Sequence, residues 1–334
     1  MLQRSIAAAK FLASEPVRHA KIGQSPNQVV FRQGKAQLRW FAPTEAKHAP
    51  VFITMPLINT WHIWDLLPGR STIARLVAEG VPVYLLDWGC PGPEDSETPL
   101  VDIIDSGIGR MFDRARRHAA ETYGPGPMDA VGYCVGGTFL AIWLSRNPEA
   151  ARRAALVCTP IDFHESGRLA AWARPETFPV DDIVDGLGNF PAEMMKASFA
   201  WLRPSGQTRK WVSLVERIEK PGFTELWAAM EKWSSAGVDF PGEAYREYVK
   251  RCYFDNALVT GGWSLGGRPV DLAAAKIPAL CISASGDHIV PTPAAVALEA
   301  AWGGDVKHVE LAGGHVGVSV TAALPEALLE WVRQ

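Results

Sequence analysis

A cysteine between closely spaced glycines is the feature of this sequence that most directly suggests chemistry. The hexapeptide GYCVGG (residues 132–137) follows a short apolar run and precedes a longer one, a pattern typical of a strand, a sharp turn and a helix. The glycines two positions before and after Cys134 would let the strand and the helix approach closely. Such a turn exposes the thiol at the sheet edge. The positive end of the helix then points at the sulfur and favours the thiolate, and the Val135 amide can donate to an oxyanion. A buried structural cysteine is the alternative interpretation of this short string taken alone.

Two more polar side chains follow predicted strands further along the chain. Asp287 comes shortly after the apolar run Pro278–Ala284, and His315 comes shortly after Lys307–Leu311. The order Cys134, Asp287, His315 is the nucleophile–acid–histidine order of the α/β-hydrolase fold. In that arrangement the histidine takes the proton of the thiol, and the carboxylate holds the imidazole in the useful tautomer.

Two choices around these residues stay open at the level of sequence. His288 is the alternative base, although as the neighbour of Asp287 its side chain should diverge from the carboxylate. A second oxyanion donor is expected in the loop after the predicted strand Val51–Met55, as a backbone amide near Ile58 or Asn59. The next residues of that loop include Trp61 and Trp64, which would either line a pocket or pack in the core.

Alternating strands and helices must position these side chains. Parallel βαβ units bring the carboxyl ends of their strands to one sheet edge, where ligands bind in such folds. The predicted strands are Ala36–Phe41, Val51–Met55, Val81–Leu86, a strand beginning at Asp129, Ala154–Thr159, Pro278–Ala284 and Lys307–Leu311. The predicted helices lie at 71–79, from Leu100 onward, directly after the cysteine, at 292–302 and at 325–332.

The alternation breaks between residues 161 and 273, a stretch rich in tryptophan and helical patterns. Because the α/β rhythm resumes after it, we expect a helical cap inserted into an α/β core, rather than an independent helical domain. The predicted class is α/β, with a mostly parallel central sheet flanked by helices. The core comprises residues 23–160 and 274–334, the cap residues 161–273, and an N-terminal helical segment residues 1–22.

Composition excludes several classes of protein. The 334 residues are 48% hydrophobic and 21% charged with a net charge of −3, so no basic character points to nucleic acid. The five cysteines contain no C-x-x-C pair, which argues against a zinc site or a disulfide framework and for a reducing compartment. Lys10 interrupts the apolar part of the N-terminus, and no run approaches the ~18 apolar residues of a membrane span. We therefore expect a cytoplasmic protein.

In these motifs and their order the sequence resembles the polyhydroxyalkanoate synthases, most closely the short class III catalytic subunit. Tyr133 and Val135 beside the cysteine are more similar to the longer class I enzymes. The motifs that carry the resemblance are RSTI (70–73), LDWG (86–89), GYCVGG (132–137), TPIDF (159–163), GNFPAE (188–193), EKW (231–233), GE (242–243), GGRPVDL (266–272), DHIVP (287–291) and GGHVG (313–317).

The resemblance implies an acyltransferase that polymerises (R)-3-hydroxyacyl-CoA, such as 3-hydroxybutyryl-CoA, and releases CoA. Cys134 would carry the growing polyester as a thioester, His315 would activate it, and Asp287 would assist His315. The resemblance also implies a homodimer, a second non-catalytic subunit and a location at the polyester granule surface. It implies no cofactor and no metal, since the CoA thioester is the substrate.

Two other functions suit the same residues. An intracellular polyester depolymerase or acyl-CoA thioesterase would use the same Cys-His-Asp set, with water in place of the hydroxyacyl group. A non-enzymatic, granule-associated protein would have kept only the fold. The cysteine and the cap motifs favour the synthase over both.

Overall fold

An eight-stranded sheet forms the centre of the protein, for which a computed structural model describes residues 2–334. Met1, the first residue of the predicted N-terminal segment, lies outside this range. The spatial order of the strands is β1-β2-β4-β3-β5-β6-β7-β8; β1 and β2 are antiparallel and β3 to β8 run parallel to one another. The strands are β1 (Gln28–Gln33), β2 (Ala36–Phe41), β3 (Val51–Thr54), β4 (Val83–Asp87), β5 (Asp129–Tyr133), β6 (Ala154–Val157), β7 (Ala279–Ala284) and β8 (Val306–Leu311).

Helices cover both faces of this sheet, so the predicted α/β class with a mostly parallel sheet is confirmed. The apolar side chains of the parallel strands are almost all buried, as expected for a sheet packed on both faces. The helices outside the cap are α1 (Leu2–Ala13), α2 (Pro16–His19), α3 (Thr72–Ala78), α4 (Gly109–Tyr123), α5 (Val135–Arg146), and, after the cap, α13 (Thr292–Val296), α14 (Leu298–Ala301) and α15 (Ala323–Arg333). Among the described residues, no helix combines the length and apolarity that crossing a membrane requires.

The elements differ from the sequence prediction in three places. Strand β1 was not predicted; it forms a hairpin with β2 around Gly34, whose φ of 56° suits a tight turn. The single helix predicted at 292–302 is two short helices, α13 and α14. A π-helical stretch, Asp102–Ile108, precedes α4 and carries buried side chains of the predicted amphipathic face.

Within the described chain, seven α-helices lie between β6 and β7, where the cap is predicted. Aromatic side chains join them to the core: Phe139 of α5 packs edge-on against both Phe240 and Tyr248 of this region. Asn256 adds a polar tie, because its side-chain oxygen accepts from the Phe163 amide at 2.9 Å. Shared packing favours an insertion over an independent domain, and the cap boundaries at 161 and 273 stay a prediction. These helices are α6 (Arg168–Trp172), α7 (Val180–Leu187), α8 (Ala192–Leu202), α9 (Pro204–Arg217), α10 (Phe223–Ser235), α11 (Gly242–Tyr248) and α12 (Ala257–Thr260).

The start of β5 is held by a buried carboxylate. Asp129 is fully buried and accepts two hydrogen bonds from Arg152, at 2.7 and 2.6 Å, and one from Arg153 at 3.1 Å. The Arg153 guanidinium also donates to the Val332 carbonyl at 3.0 Å and stacks over the Trp331 ring. The strand that ends at the cysteine is thereby fixed at its other end to the start of β6 and to α15.

Replacing Asp129 by asparagine should lower the free energy of unfolding by about 3 kcal/mol, because two guanidinium groups lose their buried counter-charge. Urea denaturation of the wild type and Asp129→Asn measures the change. Asp113→Asn is the matched control, since Asp113 forms an exposed pair with Arg116 at 3.7 Å. An equal urea midpoint for Asp129→Asn and the wild type would contradict this account of the strand anchor.

Candidate active site

Cys134 occupies the turn between β5 and α5 in a strained backbone conformation, with φ 53° and ψ −134°. Its amide donates to the Val157 carbonyl of β6 at 2.9 Å, which ties the turn to the sheet. The glycines around it are required by packing. A Cβ on Gly132 would lie 2.4 Å from the Gly137 Cα, and one on Gly137 would lie 2.0 Å from Thr159 Oγ1. Any other residue at either position would push the strand and the helix apart or displace Thr159.

The first turn of α5 packs against the end of β3. A Cβ on Gly136 would lie 2.5 Å from the carbonyl carbon and oxygen of Met55, so only glycine permits this approach. Val135 begins the helix, and a first helical N–H has no partner within the helix. Val135 lines a cavity together with Cys134. The role of the Val135 amide as an oxyanion donor stays a prediction.

The loop after β3 is held in place by the cap. The Ile58 carbonyl accepts from the Val238 amide at 3.3 Å, and the Trp233 indole N–H donates to the Thr60 carbonyl at 2.9 Å. Asn59 forms an isolated antiparallel bridge with Gly237. Ile58 lines the cavities next to Cys134. The choice between the Ile58 and Asn59 amides as second donor stays a prediction.

Asp287 and His315 form a buried pair beside the cysteine. The Nδ1 atom of His315 lies 2.7 Å from Oδ2 of Asp287, and both side chains are almost inaccessible to solvent. The other carboxylate oxygen, Oδ1, accepts from the amides of Ile289 and Val290 at 2.9 and 2.8 Å. His288, the alternative base, leaves its Nδ1 without a hydrogen-bond partner in the part of the chain described. The geometry thus pairs the carboxylate with His315.

The charges around His315 favour an imidazolium. Burial lowers the pKa of the imidazole, but the negative charge of Cys134 and the hydrogen bond to Asp287 outweigh it and raise the pKa to about 10. His315 and Cys134 line the same cavity, so the thiol stands beside the imidazole. An imidazolium between a thiolate and a carboxylate is the charge arrangement that activates a cysteine nucleophile.

Tyr133 supports the histidine in a way that sequence reasoning missed. Its hydroxyl donates to the His315 carbonyl at 3.0 Å, and its ring stacks on the imidazole with centroids 5.4 Å apart. The Trp64 ring packs at 5.6 Å from the Tyr133 ring. Tyr133 ends β5 directly before the cysteine, so one strand end supplies both the thiol and the stacking surface for its base.

Two cavities meet at Cys134, and both are mostly apolar. They share Ile58 as well as the cysteine. The first, which we call the aromatic cavity, lies under the cap and is lined by rings from Trp172, Phe178, Phe190, Phe199, Phe240, Tyr245, Tyr248 and Tyr253. The second, which we call the histidine cavity, contains His315 and more polar groups, namely Asn59, Lys196, Trp233 and Ser234. Trp61 and Trp64 line neither cavity and pack in the core.

Comparison with known proteins places this site in a family. The α/β-hydrolase fold family model matches residues 59–320. Poly(3-hydroxyalkanoate) polymerase subunit PhaC of Thiocystis violacea is 34% identical over 306 residues, covering 90% of this chain and 84% of the relative. The chain belongs to the PhaC family. PhaC of Haloferax mediterranei is 31% identical over 96% of this chain, and the chain spans 65% of that relative's length.

A solved structure with the same fold is a carboxyl esterase from Bacillus coagulans. It aligns with a TM-score of 0.58 and 13% identity, covering 92% of this chain and 97% of the esterase. Identity this low supports the fold alone. The predicted family and the predicted α/β-hydrolase fold are thus both confirmed, and the structure brings Cys134, Val135, Ile58, Asp287 and His315 together at one edge of the sheet.

In this PhaC-family chain, replacing Asp287 by asparagine should lower the pKa of His315, because the imidazolium loses its carboxylate partner. The imidazole then activates the Cys134 thiol less well. The rate of Cys134 alkylation by iodoacetamide at pH 7, measured by peptide mass spectrometry, should fall by about tenfold, the effect of losing one hydrogen bond to a charged group. Asp255→Asn, which alters an exposed pair with Arg251, is the control. Equal alkylation rates in Asp287→Asn and the wild type would refute the coupling.

Proposed function

We propose that this chain is a poly(3-hydroxyalkanoate) synthase that polymerises (R)-3-hydroxyacyl-CoA, with 3-hydroxybutyryl-CoA as substrate, and releases CoA. The observation that carries the proposal is the position of Cys134. It stands where two mostly apolar cavities meet, beside a histidine that is itself paired with Asp287. Membership of the PhaC family supports polymer formation rather than another acyl transfer.

The first half of the proposed reaction loads the enzyme. The Cys134 thiolate attacks the thioester carbonyl, and the oxyanion accepts hydrogen bonds from the Val135 and Ile58 amides. Collapse of the tetrahedral intermediate expels the CoA thiolate, which takes the proton from His315. The product is an acyl-cysteine thioester and free CoA. Because one thioester replaces another, this transfer is nearly balanced in free energy.

The second half extends the polymer. The hydroxyl of one acyl group attacks the thioester carbonyl of another while neutral His315 takes the hydroxyl proton, and Asp287 stabilises the resulting imidazolium. An ester forms, and the released Cys134 thiolate is paired again with the imidazolium. The histidine cavity suits the attacking group, since His315 must reach its proton. The aromatic cavity suits the acyl chain, since its lining is apolar and excludes water that would hydrolyse the thioester.

The reaction as proposed uses no cofactor and no metal, because the side chains supply all proton transfers. We also propose that the protein works as a homodimer at the polyester granule surface, together with a non-catalytic subunit. Exposed apolar side chains on the cap support contact with an apolar surface; they are Trp172, Leu187, Met194, Trp201, Trp211 and Val212.

The test incubates the purified protein with (R)-3-hydroxybutyryl-CoA and follows CoA release and polyester mass. Wild-type protein should release CoA and form high-molecular-weight polyester, whereas Cys134→Ala should do neither. Cys90→Ala is the matched control, because Cys90 is exposed and lies outside both cavities. Free 3-hydroxybutyrate as the only product would replace the synthase with a depolymerase or thioesterase. A Cys134→Ala protein that still restores polymer accumulation in cells would favour the non-enzymatic role.

A second variant tests the oxyanion loop. Trp233→Phe keeps an aromatic ring but removes the N–H that holds the Thr60 carbonyl, so the Ile58 amide should lose its fixed position. We expect kcat/KM for CoA release to fall by roughly tenfold, less than the loss of a whole oxyanion donor. Cys134 alkylation by iodoacetamide, which forms no oxyanion, should be unchanged.

Trp302→Phe is the control for Trp233→Phe. The Trp302 indole also donates to a backbone carbonyl, that of Ile277, at 2.8 Å, but before the start of β7 and so at the opposite sheet edge from the cysteine. If both variants lose activity equally, the effect is one of general stability and the loop assignment is wrong.

A further inference from the structure

Cys158 is a buried thiol beside the site that the proposed reaction does not use. It directly follows β6, and the register of β5 and β6 pairs Tyr133 with Val157. Cys158 therefore stands opposite Cys134 at the ends of two neighbouring parallel strands. Its side chain is completely buried. Unlike Cys134, it lines neither of the two cavities, so it is not placed to meet substrate.

The backbone at Cys158 is held in an unfavourable conformation. Its φ is 45°, and only three other non-glycine residues in the described chain have a positive φ, one of them Cys134. The Cys158 amide donates to the Ile282 carbonyl of β7 at 2.7 Å, which fixes the residue between β6 and β7. Such strain persists only where the surrounding structure enforces it, and it concentrates at functional sites.

This conformation directs the thiol at the Asp287–His315 pair. The Cys158 sulfur, an Asp287 carboxylate oxygen and a His315 ring nitrogen all lie within 4.8 Å of one another. The carboxylate has room for one more donor. Oδ1 accepts two backbone amides, from Ile289 and Val290, whereas Oδ2 accepts from the His315 ring and keeps a lone pair for a second donor.

The thiol can act only as a donor at this place. Burial, reinforced by the negative charges of Asp287 and Cys134, raises the pKa of the Cys158 thiol well above its usual value. The group therefore keeps its proton, and its sulfur lies close enough to the Asp287 carboxylate for the S–H to face it. A neutral S–H completes the hydrogen bonding of a buried carboxylate without adding a charge beside the imidazolium.

We propose that Cys158 is a positioning residue whose S–H donates to Asp287 and so fixes the carboxylate that orients His315 toward Cys134. The proposal rests on the nucleophilic role of Cys134 proposed above. It explains the strained backbone at Cys158, because the side chain that follows β6 must reach a carboxylate that follows the neighbouring strand β7. It also explains how the buried charge of Asp287 is satisfied on every side.

The test compares Cys158→Ala with Cys158→Ser. Both remove the sulfur, but only serine keeps a donor. Cys134 alkylation by iodoacetamide at pH 7 is measured by peptide mass spectrometry. We expect the rate to fall by about threefold to tenfold in Cys158→Ala, the range for one hydrogen bond from a weak donor, and to recover in Cys158→Ser.

Cys281→Ala is the matched control for loss of a buried sulfur. Cys281 lies on the adjacent strand β7, is also buried, and its thiol donates to the Ala295 carbonyl away from the site. Its variant should keep the wild-type alkylation rate. Equal losses of the alkylation rate in Cys158→Ala and Cys158→Ser would assign Cys158 a packing role and overturn the proposal. An unchanged rate in both variants would also overturn it. If His315→Gln also alkylates at the wild-type rate, the proposed Cys134–His315 pair itself fails.

An infrared measurement on the folded wild type keeps the proposal testable if a Cys158 variant does not fold. The S–H stretching band of Cys158 should lie at the low frequency of a thiol bonded to a carboxylate. It should move to higher frequency in Asp287→Asn, which weakens the acceptor. A band that is unaffected by this substitution would show that the thiol does not donate to Asp287.

Discussion

The close approach of β5 and α5 at Gly132 and Gly137 is the constraint on which the site depends. A Cβ at Gly132 would lie only 2.4 Å from the Gly137 Cα, so the chain must reverse direction within one residue. Cys134 occupies that residue and accepts a φ of 53°. The thiol is therefore fixed above the sheet edge while the start of α5 lies beneath it. A looser turn would let the sulfur move away from His315, with which it shares a cavity.

The other parts of the site are held by contacts that converge on the same edge of the sheet. Two amides and the imidazole donate to the buried Asp287 carboxylate, and the Cys158 thiol is the further donor that we propose. Burying a carboxylate without such donors would cost several kcal/mol. The cap completes the arrangement, since Trp233 holds the loop that carries Ile58. The core and the cap are therefore both needed to place the two proposed oxyanion donors.

The sequence predicts the parts of this site that are encoded by short patterns. The glycine spacing around Cys134, and strands followed by Asp287 and His315, are local features, and they predicted both the fold and the residues that meet. The contacts of Tyr133 and Trp233 join segments more than 170 residues apart, so no local periodicity indicates them. Strand β1 was missed because its mixed, half-exposed side chains give no clear alternation. The orientation of Trp61 and Trp64 depends on packing that only the folded chain defines.

The fold does not decide between transfer to a hydroxyl and hydrolysis, because a carboxyl esterase has the same architecture. In the function proposed here, the difference comes from the nucleophile and the cap. A thioester on Cys134 would keep the acyl group about as reactive as it was on CoA, so the next hydroxyl could still attack it. Rings from the cap helices α6, α8 and α11 line the aromatic cavity, and they leave little polar surface to hold water. An apolar cavity above the proposed thioester would let the incoming hydroxyl compete with water, and this competition would favour a polymer over a free acid.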